Sequence, residues 1–254
     1  MSRRPAGRGP RLGVGICALN EEEGLGRLLP RLLGEVVDGG DRTRLPDLAD
    51  RVVVADGGST DGTLEVVRAS GATLVEGARG RGAQLAAAGA RLLEDGAEVL
   101  LFLHADCLPG PGALDAVRGA FERSDLVAAG MAQRVAAEGR AYRWIEAAAD
   151  ARVRRGMVFG DSGLAVRAAA YRSVGGFEPQ PLFEDVRISR RLRRLGAVRL
   201  VEGASLAVSA RRWEDEGVLR CTVRNWILRT LHALGVPPRT LVRLYRPFRG
   251  RTRP

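Results

Sequence analysis

The sequence contains no lysine. All 40 of its basic residues are arginines, against 30 Asp and Glu, which gives a formal net charge of +10. Complete use of Arg with abundant Ala and Gly is typical of a GC-rich bacterial genome, so the arginine count alone indicates no function. An arginine excess does attract anions such as nucleoside diphosphates, anionic lipids or nucleic acids. Most arginines alternate with Asp and Glu, however, which predicts a mixed, solvated surface for the body of the chain.

Cysteines are few and long apolar runs are missing. The sequence has three cysteines, Cys17, Cys107 and Cys221, and no C-x-x-C pair. Their odd number and wide spacing argue against a zinc site or a disulfide framework and fit a reducing cytosol. No apolar run approaches the roughly 18–20 residues needed to cross a bilayer. The basic N-terminus is not followed by the apolar region of a signal peptide. We therefore expect a cytoplasmic protein.

The length of the chain allows one large domain. Its 254 residues are 45% hydrophobic and 28% charged, an ordinary balance for a globular protein. Neither an internal repeat nor a low-complexity linker divides it. We expect a disordered basic arm at residues 1–11, one continuous domain at residues 12–213, and a basic helical segment at residues 214–254.

Apolar strands and amphipathic helices alternate through the first half of the chain. This order predicts an α/β fold with a mostly parallel sheet covered by helices on both faces. The alternation loosens after about residue 121. There the pattern predicts a strand at Leu126–Val135, helices at Tyr142–Val153, Phe183–Leu195 and Val218–Leu234, and two short strands at Val198–Val201 and Ser205–Ser209.

Four polar segments lie at or just after the carboxyl ends of predicted strands, where open parallel sheets place ligand sites. They are Cys17–Glu23, Asp56–Thr63, Leu100–Asp106 and Leu182–Asp185. Each also has a purely structural interpretation, because Asn, Thr and Asp cap helices and acids in a first turn favour the helix dipole. A fifth segment, Ser209–Trp213, offers two arginines and a tryptophan to a diphosphate and a sugar ring, or is a basic surface with a packed tryptophan.

Asp106 is a candidate metal ligand. It follows the most apolar strand of the chain and lies two residues after His104. Mg²⁺ and Mn²⁺ are often held by one or two carboxylates, with substrate phosphates and water completing the shell. A turn residue is the alternative for a single Asp at a strand end.

Taken in order, these segments resemble family 2 glycosyltransferases, which have the GT-A (Rossmann-like) fold. In that family the first strand ends in a P-x-x-N-E-like run, the second in D-D-G-S-x-D-G-T and the fourth in D-x-D, and a later helix opens with E-D. The D-G-G-S-T-D-G-T segment at Asp56 is the most specific match, and the resemblance covers about Leu12–Trp213. A bacterial subgroup, the selenodomain-associated transferases, is similar at Phe159–Leu164, Glu184–Gly196 and Ser209–Glu214.

The resemblance implies roles for individual residues. Glu21 and Asp56 would bind the nucleoside, Arg81 would lie near the base or the phosphates, and His104 would hydrogen-bond a ribose hydroxyl. Asp106 would hold Mg²⁺ or Mn²⁺ on the diphosphate, and Asp185 would be the general base. The remaining candidates for substrate contacts are Asp161, Glu184, Arg211, Arg212 and Trp213.

The chain departs from the family pattern at four positions. Cys17 replaces the usual Pro, Gly57 replaces the second Asp of the D-D pair, and His104 replaces the first Asp of D-x-D. Ser209 stands where processive relatives carry the Gln of Q-x-x-R-W. Together with the missing membrane spans, this last change argues against a polymerising synthase.

The implied reaction moves a sugar from a nucleoside-diphosphate donor to an acceptor hydroxyl with inversion. One alternative is a sugar-nucleotide pyrophosphorylase, which needs a Gly-rich N-terminal loop with Arg and Lys. The other is a non-enzymatic basic protein that binds membrane or nucleic acid, which leaves the strand-end acids unexplained. We expect no nucleic-acid partner. A peripheral contact of the basic C-terminal segment with anionic lipid at the inner face of the cell membrane is a further expectation.

Overall fold

One mixed sheet forms the centre of the molecule. The computed structural model describes residues 9–34 and 48–245. Within them, eight strands pair in the order β3-β2-β1-β4-β7-β6-β8-β5. The strands are Leu12–Ala18 (β1), Arg51–Asp56 (β2), Thr73–Val75 (β3), Val99–His104 (β4), Cys107–Pro109 (β5), Leu126–Val135 (β6), Leu164–Arg167 (β7) and Ala197–Val208 (β8). Four of the seven pairings are parallel, namely β1 with β2, β1 with β4, β2 with β3 and β6 with β8, which confirms the mostly parallel sheet.

Helices pack on both faces of this sheet. They are Glu22–Leu33 (α1), Thr63–Ser70 (α2), Arg81–Glu94 (α3), Ala113–Ala120 (α4), Arg140–Arg154 (α5), Ala168–Ser173 (α6), Glu184–Leu195 (α7), Arg211–Glu216 (α8), Val218–Ala233 (α9) and Pro238–Leu244 (α10). None of the helices in the described ranges is long and apolar enough to span a bilayer.

Strand β4 shows why the sequence requires two covered faces. Leu101 and Leu103 pack into the core that α1, α2 and α4 share. Leu100 and Phe102 point the other way, into the core formed with α3, α6 and α7. A strand buried on both faces needs a continuous apolar run rather than an alternating one. The run that predicted β4 is therefore a consequence of its central position.

The carboxyl half of the sheet differs from the sequence prediction. Two short strands were expected after α7, but β8 is one strand that runs through the polar Glu202-Gly203 step. Gly203 has a φ of 77°, a backbone conformation that glycine adopts without steric cost. The short strand β5 and the short helices α6 and α8 were not predicted at all. Residues 1–8 of the predicted arm and residues 246–254 of the basic segment lie outside the described residues.

Candidate active site

Three parallel strands end side by side and bring the predicted donor-binding segments together. In the register of the sheet, Ala18 of β1 lies opposite Asp56 of β2, and Cys17 lies opposite His104 of β4. The loops that follow β1, β2 and β4 therefore leave the sheet at one edge. This arrangement is the one expected of ligand sites in open parallel sheets.

The loops after β1 and β2 hold each other in place. The side-chain carbonyl of Asn20 accepts a hydrogen bond from the backbone N–H of Thr60 at 2.8 Å, and the N–H of Asn20 donates to Ser59 Oγ at 2.8 Å. The N–H of Glu21 donates to Thr63 Oγ1 at 2.9 Å. Asn20 itself is in the left-handed region, with φ of 56°, which Asn tolerates better than most residues. Asn20 thus braces the neighbouring loop instead of capping α1.

Asp56 shapes the loop that it begins. Its carboxylate is 2% exposed, and it accepts hydrogen bonds from Gly58 N–H at 2.7 Å, Ser59 N–H at 2.9 Å and Ser59 Oγ at 2.5 Å. Burial alone would raise the pKa of Asp56, but the hydrogen bonds from Ser59 and Gly58 outweigh it and hold the pKa below its ordinary value. The side chain lies outside the cleft described next, and its contact with a nucleoside stays a prediction.

A cleft of about 570 Å³ opens at this strand edge. One wall is formed by the ends of β1 and β4 and the start of α3, and the other by α7, α8 and α9. Nine of the predicted site residues line it: Glu21, Arg81, His104, Asp106, Asp161, Asp185, Arg211, Arg212 and Trp213. Asp56 and Glu184 do not. The fold therefore brings most of the candidates into one cavity, although they lie up to 192 residues apart in the sequence.

Two carboxylates on the strand-end wall fit a divalent cation. Burial, and next the negative charge of Asp106, raise the pKa of Glu21 to about 7. The effect of Asp106 on Glu21 shows that the two carboxylates lie near each other, and a cation bound beside them would favour the ionised form of both. No cluster of three or more His, Cys, Asp or Glu able to hold a metal occurs within the described ranges. The donor set thus fits Mg²⁺ or Mn²⁺ held through one or two carboxylates plus diphosphate and water.

His104 occupies the position of the missing Asp without adding a positive charge. Burial, followed by the nearby Arg81 guanidinium, lowers the pKa of His104, so the imidazole is neutral near pH 7. Its Nε2 lies directly against Gly160, where a Cβ would overlap the ring. Only glycine allows this approach. A neutral His104 can hydrogen-bond a ligand hydroxyl and does not repel a cation on Asp106.

Glu184 pairs with Arg81 behind the cleft wall. The carboxylate of Glu184 is 1% exposed and forms an ion pair with the Arg81 guanidinium, which is 34% exposed. This contact joins the first turns of α3 and α7. Burial raises the pKa of Glu184, and the charge of Arg81 opposes that rise. Glu184 is therefore committed to Arg81, and Asp185 is the acid of the pair that faces the cleft.

Asp185 is held by two backbone hydrogen bonds. Its Oδ2 accepts from the N–H of Gly160 at 3.0 Å, and its Oδ1 accepts from the N–H of Val186 at 2.7 Å. Phe183, the residue before α7 and two residues before Asp185, has a φ of 63°, which is rare for an aromatic residue and recurs at functional sites. The Phe183 ring stacks on His232 of α9, with ring centroids 4.6 Å apart. Packing on α9 therefore supports the turn that presents Asp185.

The other substrate-contact candidates are already partly engaged. Asp161 forms an ion pair with Arg152. Arg212 contacts Glu216 at 3.8 Å and the hydroxyl of Tyr245, whereas Arg211 contacts the exposed Glu23 at 3.8 Å.

Trp213 packs edge-on against Tyr142, with ring centroids 6.3 Å apart. It thus both lines the cleft and packs on the core, and its contact with a sugar stays a prediction.

Three lining residues with polar side chains, Gln84, Asn225 and Tyr245, were not predicted from the sequence. Gln84 is buried in α3, and its amide donates to the carbonyls of Ala18 at 2.5 Å and Ala55 at 3.0 Å, which ties the ends of β1 and β2. A single polar residue within an Ala-rich helix was the available signal. Asn225 and Tyr245 line the opposite wall. Their positions depend on how α9 and α10 pack, which no local pattern indicates.

Solved structures with the same fold include sugar-nucleotide enzymes. The mannosyltransferase PcManGT from Pyrobaculum calidifontis, in complex with GDP-Man and Mn²⁺, is 22% identical, with a TM-score of 0.58 over 79% of this chain and 57% of its own. Glucosyl-3-phosphoglycerate synthase from Mycobacterium tuberculosis, in complex with UDP, is 22% identical, with a TM-score of 0.58 over 91% and 82%. TarS of S. aureus is 16% identical, with a TM-score of 0.57 over 79% and 60%. This chain spans less than two thirds of the mannosyltransferase and of TarS.

Sequence comparison identifies the family. A search among curated proteins finds no match. The family model described as glycosyl transferase family 2 matches residues 13–173, which include β1 to β7 and the three strand ends at the cleft. The structural similarities, at these identities, show the shared GT-A fold. Since the family model covers more than half of the sequence, the chain belongs to glycosyl transferase family 2.

Proposed function

We propose that the protein transfers a sugar from a nucleoside-diphosphate donor to an acceptor hydroxyl, with inversion at the anomeric carbon. The observation that carries this proposal is the cleft itself, in which Glu21 and Asp106 lie on the strand-end wall and Asp185 on the wall formed by α7 to α9. A donor bound to the first wall would present its sugar to the second. Family membership favours this function over a pyrophosphorylase.

The donor would bind along the strand ends. Glu21 and the loop that Asp56 shapes lie where a nucleoside would sit, with Arg81 and His104 beside it. Asp106 would hold Mg²⁺ or Mn²⁺ against the diphosphate, as expected from the structures of similar proteins that contain Mn²⁺ with GDP-Man or Mg²⁺ with UDP. Such a cation neutralises charge on the leaving diphosphate. From the opposite wall, Arg211, Arg212 and Trp213 complete the contacts to the diphosphate and the sugar.

Asp185 would take the proton of the acceptor hydroxyl. General base catalysis of this kind is typically worth roughly 10²–10⁴-fold. The hydrogen bonds from Gly160 and Val186 fix the carboxylate in the cleft wall. Glu184 contributes by holding Arg81, and Asp161 by holding Arg152 at the same edge.

Separate measurements of donor binding and turnover test the proposal. Calorimetry with UDP and GDP should show affinity falling at least tenfold (roughly 1.4 kcal/mol) in Asp106→Ala or in EDTA. Equal binding in all conditions would remove the metal from the proposal.

Hydrolysis of the sugar nucleotide, with water in the place of the acceptor, reports on the base. Asp185→Asn should leave donor affinity within a few-fold yet lower turnover by roughly 10²-fold or more. Glu184→Gln is the matched variant at the adjacent acid. If Glu184→Gln loses turnover and Asp185→Asn keeps it, the base is assigned to the wrong residue.

We also propose a peripheral contact of α9 with anionic membrane on the cytoplasmic side. Five large apolar side chains at helical spacing are exposed along α9 and just after it: Leu219, Val223, Trp226, Ile227 and Leu234. Arg220 lies beside this stripe. An apolar stripe with adjacent arginines favours the interface of an anionic bilayer. Membership of the selenodomain-associated subgroup is likewise a proposal, supported by the E-D-V helix and the S-A-R-R-W-E segment.

A further inference from the structure

A second cavity lies next to the active cleft, between α7 and α9. Its volume is about 790 Å³, and Phe159 lines both cavities. We call it the arginine pocket, because the described residues that line it include five arginines and no Asp or Glu. The arginines are Arg152, Arg190, Arg193, Arg194 and Arg229. This excess of positive side chains differs from the mixture of Arg, Asp and Glu expected for the rest of the surface.

About half of the arginines in the described ranges have a carboxylate within 4.0 Å, whereas among the five that line the pocket Arg152 alone does, through Asp161. On the same helix α7, Arg187 and Arg191 both pair with Glu178. By contrast, no carboxylate of the described ranges 9–34 and 48–245 lies within 4.0 Å of Arg190, Arg194 or Arg229. The positive charge of the pocket is therefore available to a ligand.

Two of the pocket's guanidinium groups are held close together by one aromatic ring. Arg152 lies 4.0 Å from the centroid of the Phe159 ring, and Arg229 lies 5.1 Å from the same centroid. Burial, and next the charge of Arg152, lower the pKa of Arg229. The buried Nε of Arg152 has no hydrogen-bond partner among the described residues. Two neighbouring cations in a partly buried site repel each other, and an anion bound beside them would relieve that repulsion.

The pocket begins where the proposed base lies. Two residues that line the pocket lie close to Asp185 in the chain: Phe183, just before α7, and Val186, the residue after Asp185. Arg190 follows Asp185 by five residues, about 7.5 Å along the helix axis and roughly 140° around it, so the two side chains leave α7 on different faces. The charges of Asp161 and Asp185 also reach Arg229. Phe159, which lines both cavities, and Arg229 therefore mark the side of the pocket from which a small molecule can extend to Asp185.

We infer that the arginine pocket binds a phosphate group of the sugar acceptor, so that the acceptor is a phosphorylated alcohol whose hydroxyl reaches Asp185. This inference rests on the proposed function. A phosphate carries close to two negative charges and several acceptor oxygens, which suits multiple guanidinium groups better than a single carboxylate does. Trp226, 66% exposed at the rim of the pocket, provides an apolar face for the carbon part of the acceptor.

Phosphate binding to the intact protein tests the inference. The donor cleft is first saturated with UDP or GDP and Mn²⁺, so that a second phosphate site is measured separately by calorimetry with inorganic phosphate and glycerol 1-phosphate. The affinity for either probe should fall at least tenfold in Arg190→Gln and in Arg229→Gln. Arg172→Gln removes one exposed arginine outside both cavities and should leave that affinity unchanged. Far-UV circular dichroism checks that each variant is folded, and Arg194→Gln replaces any that is not.

A lipid source of the phosphate is distinguished with vesicles of phosphatidylcholine, with and without phosphatidic acid. Binding that requires phosphatidic acid and is lost in Arg190→Gln supports the inference and assigns the phosphate to a lipid. If the wild-type protein binds UDP or GDP but neither phosphate probe nor phosphatidic acid, the inference is wrong and the proposed function stands. Phosphate binding that persists in the arginine variants places the phosphate elsewhere and also overturns the inference. If no nucleoside diphosphate binds, the proposed function itself fails.

Discussion

The ion pair between Arg81 and Glu184 should be worth more to stability than other ion pairs of this arginine-rich protein. It links the first turn of α3 to the first turn of α7, and the Glu184 carboxylate is 1% exposed. Glu184→Ala would leave the Arg81 guanidinium without its partner. Breaking a fully buried pair costs about 3–5 kcal/mol. Because Arg81 is 34% exposed, water can solvate part of the guanidinium, and we expect a loss of about 2–3 kcal/mol.

Two further variants test whether charge and burial set the size of this loss. Glu184→Gln keeps an oxygen that accepts from Arg81 and removes the charge, so the loss should be about 1–2 kcal/mol. Glu178→Ala is the matched control, because Glu178, like Glu184, pairs with arginine but is 33% exposed; its partners are Arg187 and Arg191 of α7. Exposed pairs are worth about 0–1 kcal/mol. The expected order of destabilisation is therefore Glu184→Ala, then Glu184→Gln, then Glu178→Ala.

Urea unfolding, monitored by far-UV circular dichroism, measures these differences in the free energy of unfolding, provided that the m-value is unchanged. The double variant Arg81→Ala with Glu184→Ala should be more stable than the sum of the single losses predicts, by about 1 kcal/mol or more. If Glu178→Ala costs as much as Glu184→Ala, burial is not what strengthens the pair. Strict additivity in the double variant would show that the two side chains do not interact.

Three further predictions concern single side chains. Gln84→Met should lower the free energy of unfolding in urea by about 1–2 kcal/mol, because two buried hydrogen bonds that tie β1 to β2 are lost. Gln180→Met is the control, since Gln180 Nε2 has no hydrogen-bond partner among the described residues. The pKa of Asp56 is held below its ordinary value of about 4, so its ionised form stabilises the fold above that pH, and this stabilisation is lost as the pH falls through the folded-state pKa. In Asp56→Asn the melting temperature should therefore fall less on acidification than in the wild-type protein. Asp215→Asn, at an exposed position, should leave that pH dependence unchanged. Trp226→Ser should reduce co-sedimentation with anionic vesicles at least several-fold. The control Trp144→Ser removes a 75% exposed tryptophan on α5 and should have no such effect. Equal binding by both variants would argue against α9 as the membrane-contacting element.

The first half of the fold could be predicted because its elements are defined locally. Strand β4 is apolar at every position but the last since both its faces are covered, and each strand end carries a recognisable turn. The carboxyl half could not be predicted to the same extent. Strand β5 has three residues and pairs only with β8, where Pro109 lies opposite Leu206, 97 residues later in the chain. Such a short segment has no periodicity of its own.

The candidate site shows the same division. The sequence pointed to the residues that line the cleft, because polar groups that follow buried strands share one edge of a parallel sheet. It did not show that Asp56 turns into its own loop or that Glu184 turns towards Arg81. Both orientations depend on partners that the chain brings together in space: Ser59 is close in sequence, but Arg81 is 103 residues from Glu184.

The arginine pocket was not predictable for a different reason. The sequence of α7 contains Arg187, Arg190, Arg191, Arg193 and Arg194 with no difference in type. Helix geometry separates them into faces, and only the fold places Glu178 beside one face and α9 beside the other. A charge pattern therefore gives the number of arginines, and the tertiary structure decides which of them are neutralised.

The division between the two walls of the cleft bears on where specificity lies. The segment that matches the family model, residues 13–173, contains the strand ends proposed to bind the donor. Asp185, Arg190 and Arg229 all lie beyond it, on α7 and α9. Residues on the second wall can change without disturbing the register of β2, β1 and β4 on which the donor wall depends. We therefore propose that acceptor choice lies in α7 to α9, where the cavity that holds the uncompensated positive charge adjoins the cleft of the proposed base.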